Sequence, residues 1–321
     1  MHAHLFCVDN KGFIGDFFTM RPLLPIAVLI AFAAVLSAAD QGKELIRDII
    51  TEKDLNKGII ANARNPEYRA GLRKDLLAKA PDSPKAVDAF VESLDLIVHA
   101  EVIQDGHSLQ LSAVVGTITP RSRAFLLSQG VPAALIESTA ALTSVKVDGV
   151  ELKGDALDAL AEELSKKTPE EDKDVLTQDE SSLVNLAFDK DVDLVLIIGR
   201  KSKEWGEVIE KISSGQGSVL KRIEATKASI RHMVAIGMKK DGRSVAFLVA
   251  LGEMNEKVRA TLLASGIPEG LIDTKAAFIG VSIDNVQLKG DKLDEFAEAI
   301  KTARDKKAPP PPLKSLADLS K

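Results

Sequence analysis

A chain of 321 residues, 45% hydrophobic and 28% charged, holds material for about two globular domains. Its formal net charge of -5 gives no bulk attraction for nucleic acid or anionic lipid, and an aromatic content of 4% leaves no stacking platform interleaved with Lys and Arg. A single cysteine, Cys7, excludes a disulfide framework or a Cys-based zinc site within one chain.

Residues 1–39 read as an N-terminal extension followed by a secretory signal peptide. Met20 is the expected start, Arg21 the positive n-region, Leu23 to Leu36 the apolar stretch, and Ser37-Ala38-Ala39 the small-residue cleavage site before Asp40. An uncleaved signal anchor is the alternative, with an apolar stretch at the short limit for a span. The expected location is therefore secreted or otherwise exported, with no membrane attachment after cleavage. No asparagine of the chain heads an Asn-x-Ser/Thr acceptor. With neither disulfides nor glycans, an exported chain of this kind relies on its cores.

Asp40 to Lys79 reads as mostly helical, with Leu45, Ile46, Ile49 and Ile50 on one face and a second helix starting at Asn65-Pro66. Pro81-Asp-Ser-Pro84 is a turn, and Lys85 to Leu96 is helical again. The period then changes. Ile97 to Gln104 and Ser108 to Val115 flank Asp105-Gly106, a hairpin signal, because a type I′ turn needs both central residues at positive φ. A helix over Pro120 to Gln129 closes at Gly130, and a further helical turn runs through Leu135-Ile136. A second strand pair surrounds Asp148-Gly149, and an amphipathic helix follows with Leu157, Leu160, Ala161 and Leu164 on one face.

The stretch from Ser108 to Lys167 then recurs as Ser244 to Ala303, without a gap, at an offset of 136 residues. Of its 60 positions 23 are identical, and most are Leu, Ala, Val, Gly or Pro, which a shared fold requires. Asp241-Gly242 and Asp284-Asn285 stand where the first copy has its turns. Upstream the repeat continues at an offset of 137, where Tyr68 matches Trp205. The fold class expected is α+β, as two tandem copies of one α+β domain with N-terminal helices, β-hairpins and a closing amphipathic helix. Residues 40–167 form the first copy, 168–176 a charged linker, 177–303 the second copy and 304–321 a Pro-rich disordered tail. Lys166-Lys167 resembles a dibasic processing site but reads better as linker charge. Val192 to Ile198 is a buried strand, with Leu55 to Ala61 as its weaker counterpart.

Chemistry is harder to find. No histidine is shared by the copies: His99 answers to Ala235, His232 to Leu96 and His107 to Arg243. Neither Gly199-Arg-Lys-Ser202 nor Gly215-Gln-Gly-Ser218 has phosphate-loop spacing. Lys153-Gly-Asp155 resembles an integrin-type tripeptide, but its Asp is better used as the N-cap of the closing helix. No catalytic residue, metal ligand or cofactor is assigned. Arg123 and Arg259, identical in both copies, are expected to pair with a carboxylate or to line a ligand pocket together with Tyr68 and Trp205. The function expected is an exported non-enzymatic binding or interaction protein, for a small apolar ligand or a protein partner. A hydrolase working with carboxylates and a structural extracellular-matrix component are the alternatives.

Overall fold

The computed structural model describes residues 41–52, 54–165, 184–213, 226–240 and 243–305. The expected signal segment, the linker, the tail from residue 306 on, Gly215 to Ser218 and the Asp241-Gly242 turn lie outside them, while residues 304 and 305 of the expected tail belong to the last helix. No helix among the described residues is long and apolar enough to cross a membrane.

The architecture is α+β, built on one large antiparallel sheet. In chain order its first half holds α1 (Gln41–Thr51), β1 (Leu55–Asn62), α2 (Pro66–Lys79), α3 (Pro84–Glu92), β2 (Leu94–Gln104), β3 (His107–Gly116), α4 (Pro120–Ser128), β4 (Ala140–Val147), β5 (Val150–Glu151) and α5 (Asp155–Ser165). The second half holds β6 (Val192–Gly199), α6 (Lys203–Ser213), β7 (Ile230–Lys240), β8 (Arg243–Gly252), α7 (Glu256–Ala264), β9 (Ala276–Ile283), β10 (Val286–Gln287) and α8 (Asp291–Asp305). Short 3-10 turns at Ala133–Leu135 and Glu269–Leu271 precede β4 and β9.

The strands form one ten-stranded sheet in the order β10-β9-β8-β7-β6-β1-β2-β3-β4-β5. Its centre is β1 against β6, antiparallel, with Ile59 opposite Leu196. The mostly helical expectation for Asp40 to Lys79 is thus corrected: α1 and α2 form, but a central strand separates them. Gly58 fits there because a Cβ at its position would already lie 3.2 Å from Ile49 and 3.3 Å from Ile197.

The turns follow from local chemistry. Asp105 and Gly106 have φ of 50° and 86°, Asp148 and Gly149 of 50° and 79°, and Asp284 and Asn285 of 49° and 66°. At α2, Asn65 Oδ1 accepts from the Glu67 and Tyr68 N–H groups, with Pro66 at the first helical position. Asp155 is not a cap. Gly154, at φ 51°, turns the chain, its carbonyl accepts from Leu157 and Asp158, and Asp155 sits in the first turn, where its charge favours the helix dipole. The two edge strands have two residues each, which limits the ladder open to further pairing.

One face of the sheet is the better covered, with Met238, Phe247 and Phe278 partly buried against its core. Leu45 and Ile49 of α1 close over Val98, Ala100, Leu111 and Ala113, leaving a void of about 10 Å³. Phe296 of α8 stacks on Phe247 at 6.0 Å and meets Phe278 edge-on at 6.2 Å. The core runs across the centre, so Ile60 and Val98 share it with Val195, Val234 and Val249. Side chains reinforce the junction. Asn62 Nδ2 donates to the Val192 carbonyl at 2.8 Å, Asn65 Nδ2 to Asp193 at 2.8 Å, and His232 Nε2 lies 3.1 Å from the Glu52 carbonyl.

At the other end of the junction Gly199 leaves no room for a side chain. A Cβ there would stand 1.5 Å from the Leu55 carbonyl oxygen, a backbone atom that cannot swing away. Gly199→Ala is therefore expected to destabilise the chain by at least about 2 kcal/mol in urea unfolding. Gly71→Ala, in α2 with nothing within 4 Å of the added Cβ, is expected to stabilise by about 0.5–1 kcal/mol. Equal effects at both glycines would contradict the close approach of β1 to β6.

Candidate functional site: a trough across the open face of the sheet

The second face is covered only in part. Strand parity and register place Ala61, Ile97, Val114 and Ala141 in one row of this face, and all four are buried. The layer available to bury them is α2, α3 and α4, which pack on one another, Phe90 meeting Phe125 at 5.1 Å. In the second half Ile198, Met233, Ala250 and Ala277 form the corresponding row, buried with Trp205 and Ile209 of α6 and Val258 and Leu262 of α7. Because β1 and β6 run antiparallel, these two helical layers sit over opposite rims.

Between them lies a diagonal trough. One row crosses eight strands in register: Ser144, Ser112, His99, Ile59, Leu196, Ala235, Leu248 and Gly280. None of these eight is buried. The next row toward the open rim holds Lys57, Glu101, Gln110 and Lys146 in the first half, and Leu194, Gly237, Ala246 and Ser282 in the second. Leu194 is 42% exposed. Each wall leans across the centre: Glu204 of α6 comes within 3.9 Å of Lys57, and Glu67 of α2 within 3.8 Å of Lys239.

The two ends of the trough differ in kind. In the first half the side chains are polar and bonded to each other. Glu101 accepts from Asn56 Nδ2, from Ser108 Oγ at 3.1 Å and from Gln110 Nε2 at 3.0 Å. Burial pushes its pKa up, but these three hydrogen bonds and the nearby Lys57 outweigh that and hold it below the usual glutamate value. Glu151 accepts from Ser144 Oγ at 3.1 Å and pairs with Lys153 at 2.8 Å. In the second half Leu194, Leu196, Ala235, Gly237, Ala246, Leu248 and Gly280 offer no side-chain hydrogen-bonding group.

His99 Nδ1 lies 2.9 Å from Ser112 Oγ. That pair supplies two members of a nucleophilic triad, but among the described residues no carboxylate bonds the other ring nitrogen. Ser112 also lies in a strand paired on both sides, so the surrounding N–H groups serve the ladder and not an oxyanion. No group of three or more His, Cys, Asp and Glu among the described residues gathers to hold a metal ion.

The residues singled out from the sequence do not converge. Arg123 donates to the Ile136 carbonyl and, at 3.1 Å, to the Ala133 carbonyl. Arg259 donates twice to the Ile272 carbonyl, at 3.2 and 3.3 Å, and lies 3.9 Å from Glu269. Both arginines fasten the 3-10 turns that lead into β4 and β9. Trp205 is buried beneath α6, whereas Tyr68 on α2 is 40% exposed. The trough residues went unread because each half shows its pattern only through cross-strand register.

No protein-family model matches the chain, and no curated protein matches it. Among solved structures it is similar to TP0453 in crystal form I, at 10% identity and a TM-score of 0.36, over 86% of this chain and 97% of that one. Crystal form III of TP0453 gives 9% identity and a TM-score of 0.34, over 85% and 98%. A likeness of that size carries no functional argument.

Burial, and then the charge of Lys146, hold His99 below the ordinary histidine value of about 6.5. As pH falls through about 6.5 the unfolded chain binds more protons than the folded one, so stability is full above that value and declines below it. Urea midpoints measured between about pH 7.5 and 5.5 are expected to fall more for the native chain than for His99→Gln, which keeps a partner for Ser112. Parallel slopes would contradict the buried, neutral imidazole.

Proposed function

We propose that the chain is an exported, non-enzymatic binding protein, made of one α+β domain written twice, that holds a protein partner in the trough of its sheet. The observation that carries this reading is the pattern of burial on the open face. Equivalent rows are sealed by helices in each half, and the rows beside them are only partly covered, with an apolar end where Leu194 is exposed and Leu196 and Leu248 are half-buried. An uncovered apolar stretch rimmed by polar groups is the usual mark of an interaction site.

Duplication over 40–167 and 177–303 is supported by the repeated sequence, by the matching order of elements in the two halves, and by the central register. Ile59 pairs with Leu196, the residue 137 positions on, as the two sides of an isologous interface would. Export rests on the segment Met20 to Ala39. A protein partner is favoured over an enclosed apolar ligand because the void beneath α1 is about 10 Å³, against about 300–1,000 Å³ for a ligand pocket. Binding is favoured over hydrolysis because Glu101, Glu151 and His99 are engaged by their own neighbours and do not converge on a vacant point.

A photoreactive phenylalanine analogue placed at Gln110, Leu194 or Leu248 in the native host is expected to yield covalent adducts with a second protein. Placed at Leu127 or Leu263, apolar positions of α4 and α7 whose exposure matches that of Leu194, it is expected to yield none. Adducts confined to the helix positions would contradict the assignment of the face.

A further inference from the structure

Resting on that reading, we infer that the trough receives a single acidic, amphipathic segment of the partner, its apolar side on Leu194, Leu196 and Leu248 and its carboxylates at the Lys146 end. Three observations lead there. The first is size. The two open rows of each half comprise sixteen positions, at a footprint of about 32 Å² each on a pleated sheet, so the trough offers about 500 Å². A stable complex of two folded surfaces uses about 800 Å² per partner, so the trough is too small to hold a second copy of this chain by its folded face, and suits one segment.

The second is charge. The whole chain carries a net -5, yet the ionised groups of the sixteen positions are Lys57, Lys146 and Glu101. Glu101 is already saturated by Asn56, Ser108 and Gln110, with Lys57 beside it. Lys146 faces Glu151 in the register, but Glu151 is engaged by Lys153 and Ser144, and Lys146 closes no ion pair among the described residues. The polar end therefore presents Lys146 foremost, to which a carboxylate is the complementary group.

The third is polarity. At equivalent positions His99, Glu101, Gln110 and Ser112 of the first half are Ala235, Gly237, Ala246 and Leu248 of the second. Two rows that share a fold and a pattern of burial differ at every one of these places, and a segment lying along both must change from polar to apolar along its length.

The test uses the full chain and two synthetic peptides with the same leucine stripe, one ending in a run of glutamates and the other in a run of lysines. Binding is read by fluorescence anisotropy. The glutamate peptide is expected to bind about tenfold more tightly, with the preference reversed by Lys146→Glu and unaffected by Lys289→Glu, an exposed lysine outside the trough. Leu248→Asp is expected to weaken both peptides, with circular dichroism confirming that each variant is folded. Equal binding of the two peptides, or indifference to Lys146→Glu, overturns the acidic segment while leaving a docking face if Leu248→Asp still weakens binding. Binding unmoved by Leu248→Asp, or no binding of either peptide, overturns the proposal, and in the former case the docking face falls with it.

Discussion

The pairing of β1 with β6 is the contact on which the rest of the molecule depends. Without it the chain would hold two five-stranded sheets, each with an unpaired central-quality edge of the type that invites aggregation. With it, β1 and β6 close on each other, and one core runs across the centre of the covered face. The register also decides the open face. Placing Ile59 opposite Leu196 sends the two helical layers to opposite rims and leaves a diagonal strip between them. The junction is closed differently at its two ends, by the Asn62 amide at one and by the missing side chain of Gly199 at the other. Hydrogen bonding and close backbone approach thus do the same work at equivalent positions.

On the proposed reading, function on this scaffold resides in where the two halves differ. Their shared residues are those of turns, caps and core, and even the shared arginines, Arg123 and Arg259, serve to fasten backbone carbonyls. The polar cluster around Glu101 and His99 has no counterpart in the second half. On that reading, a domain written twice that keeps its packing and changes one face gains a surface with direction. That is consistent with recognition of an unsymmetrical partner.

Much of the local structure was legible in the sequence. Asp-Gly pairs between alternating runs demand positive φ, so the hairpins at Asp105 and Asp148 could be placed, and Asn65-Pro66 announced a helix start. What escaped was non-local. Leu55 to Ala61 reads as a weaker counterpart of the Val192 to Ile198 strand, but the pairing that sets the two side by side at the centre of one sheet joins segments more than a hundred residues apart. The trough was hidden for a related reason. Alternation in β2 and β3 sets Val98, Ala100, Leu109 and Leu111 against His99, Glu101, Gln110 and Ser112, a signal for one wet face. In β7 and β8 the wet face is written with Ala, Gly and Leu, so the same region reads as buried. Arg123 and Arg259 are the reverse case, a charge repeated in both halves that the fold uses to hold backbone carbonyls, with Glu269 beside Arg259.

Native-state hydrogen exchange of the full chain tests the central pairing most directly. The ladder amides of Ile60, Ala61, Val195 and Leu196 are expected to exchange only through global unfolding, with protection equal to the slowest amides of β2 and β7. Exchange of these amides at the rate of a free edge, while β2 and β7 stay protected, would show two separate sheets and remove the trough that the continuous sheet creates.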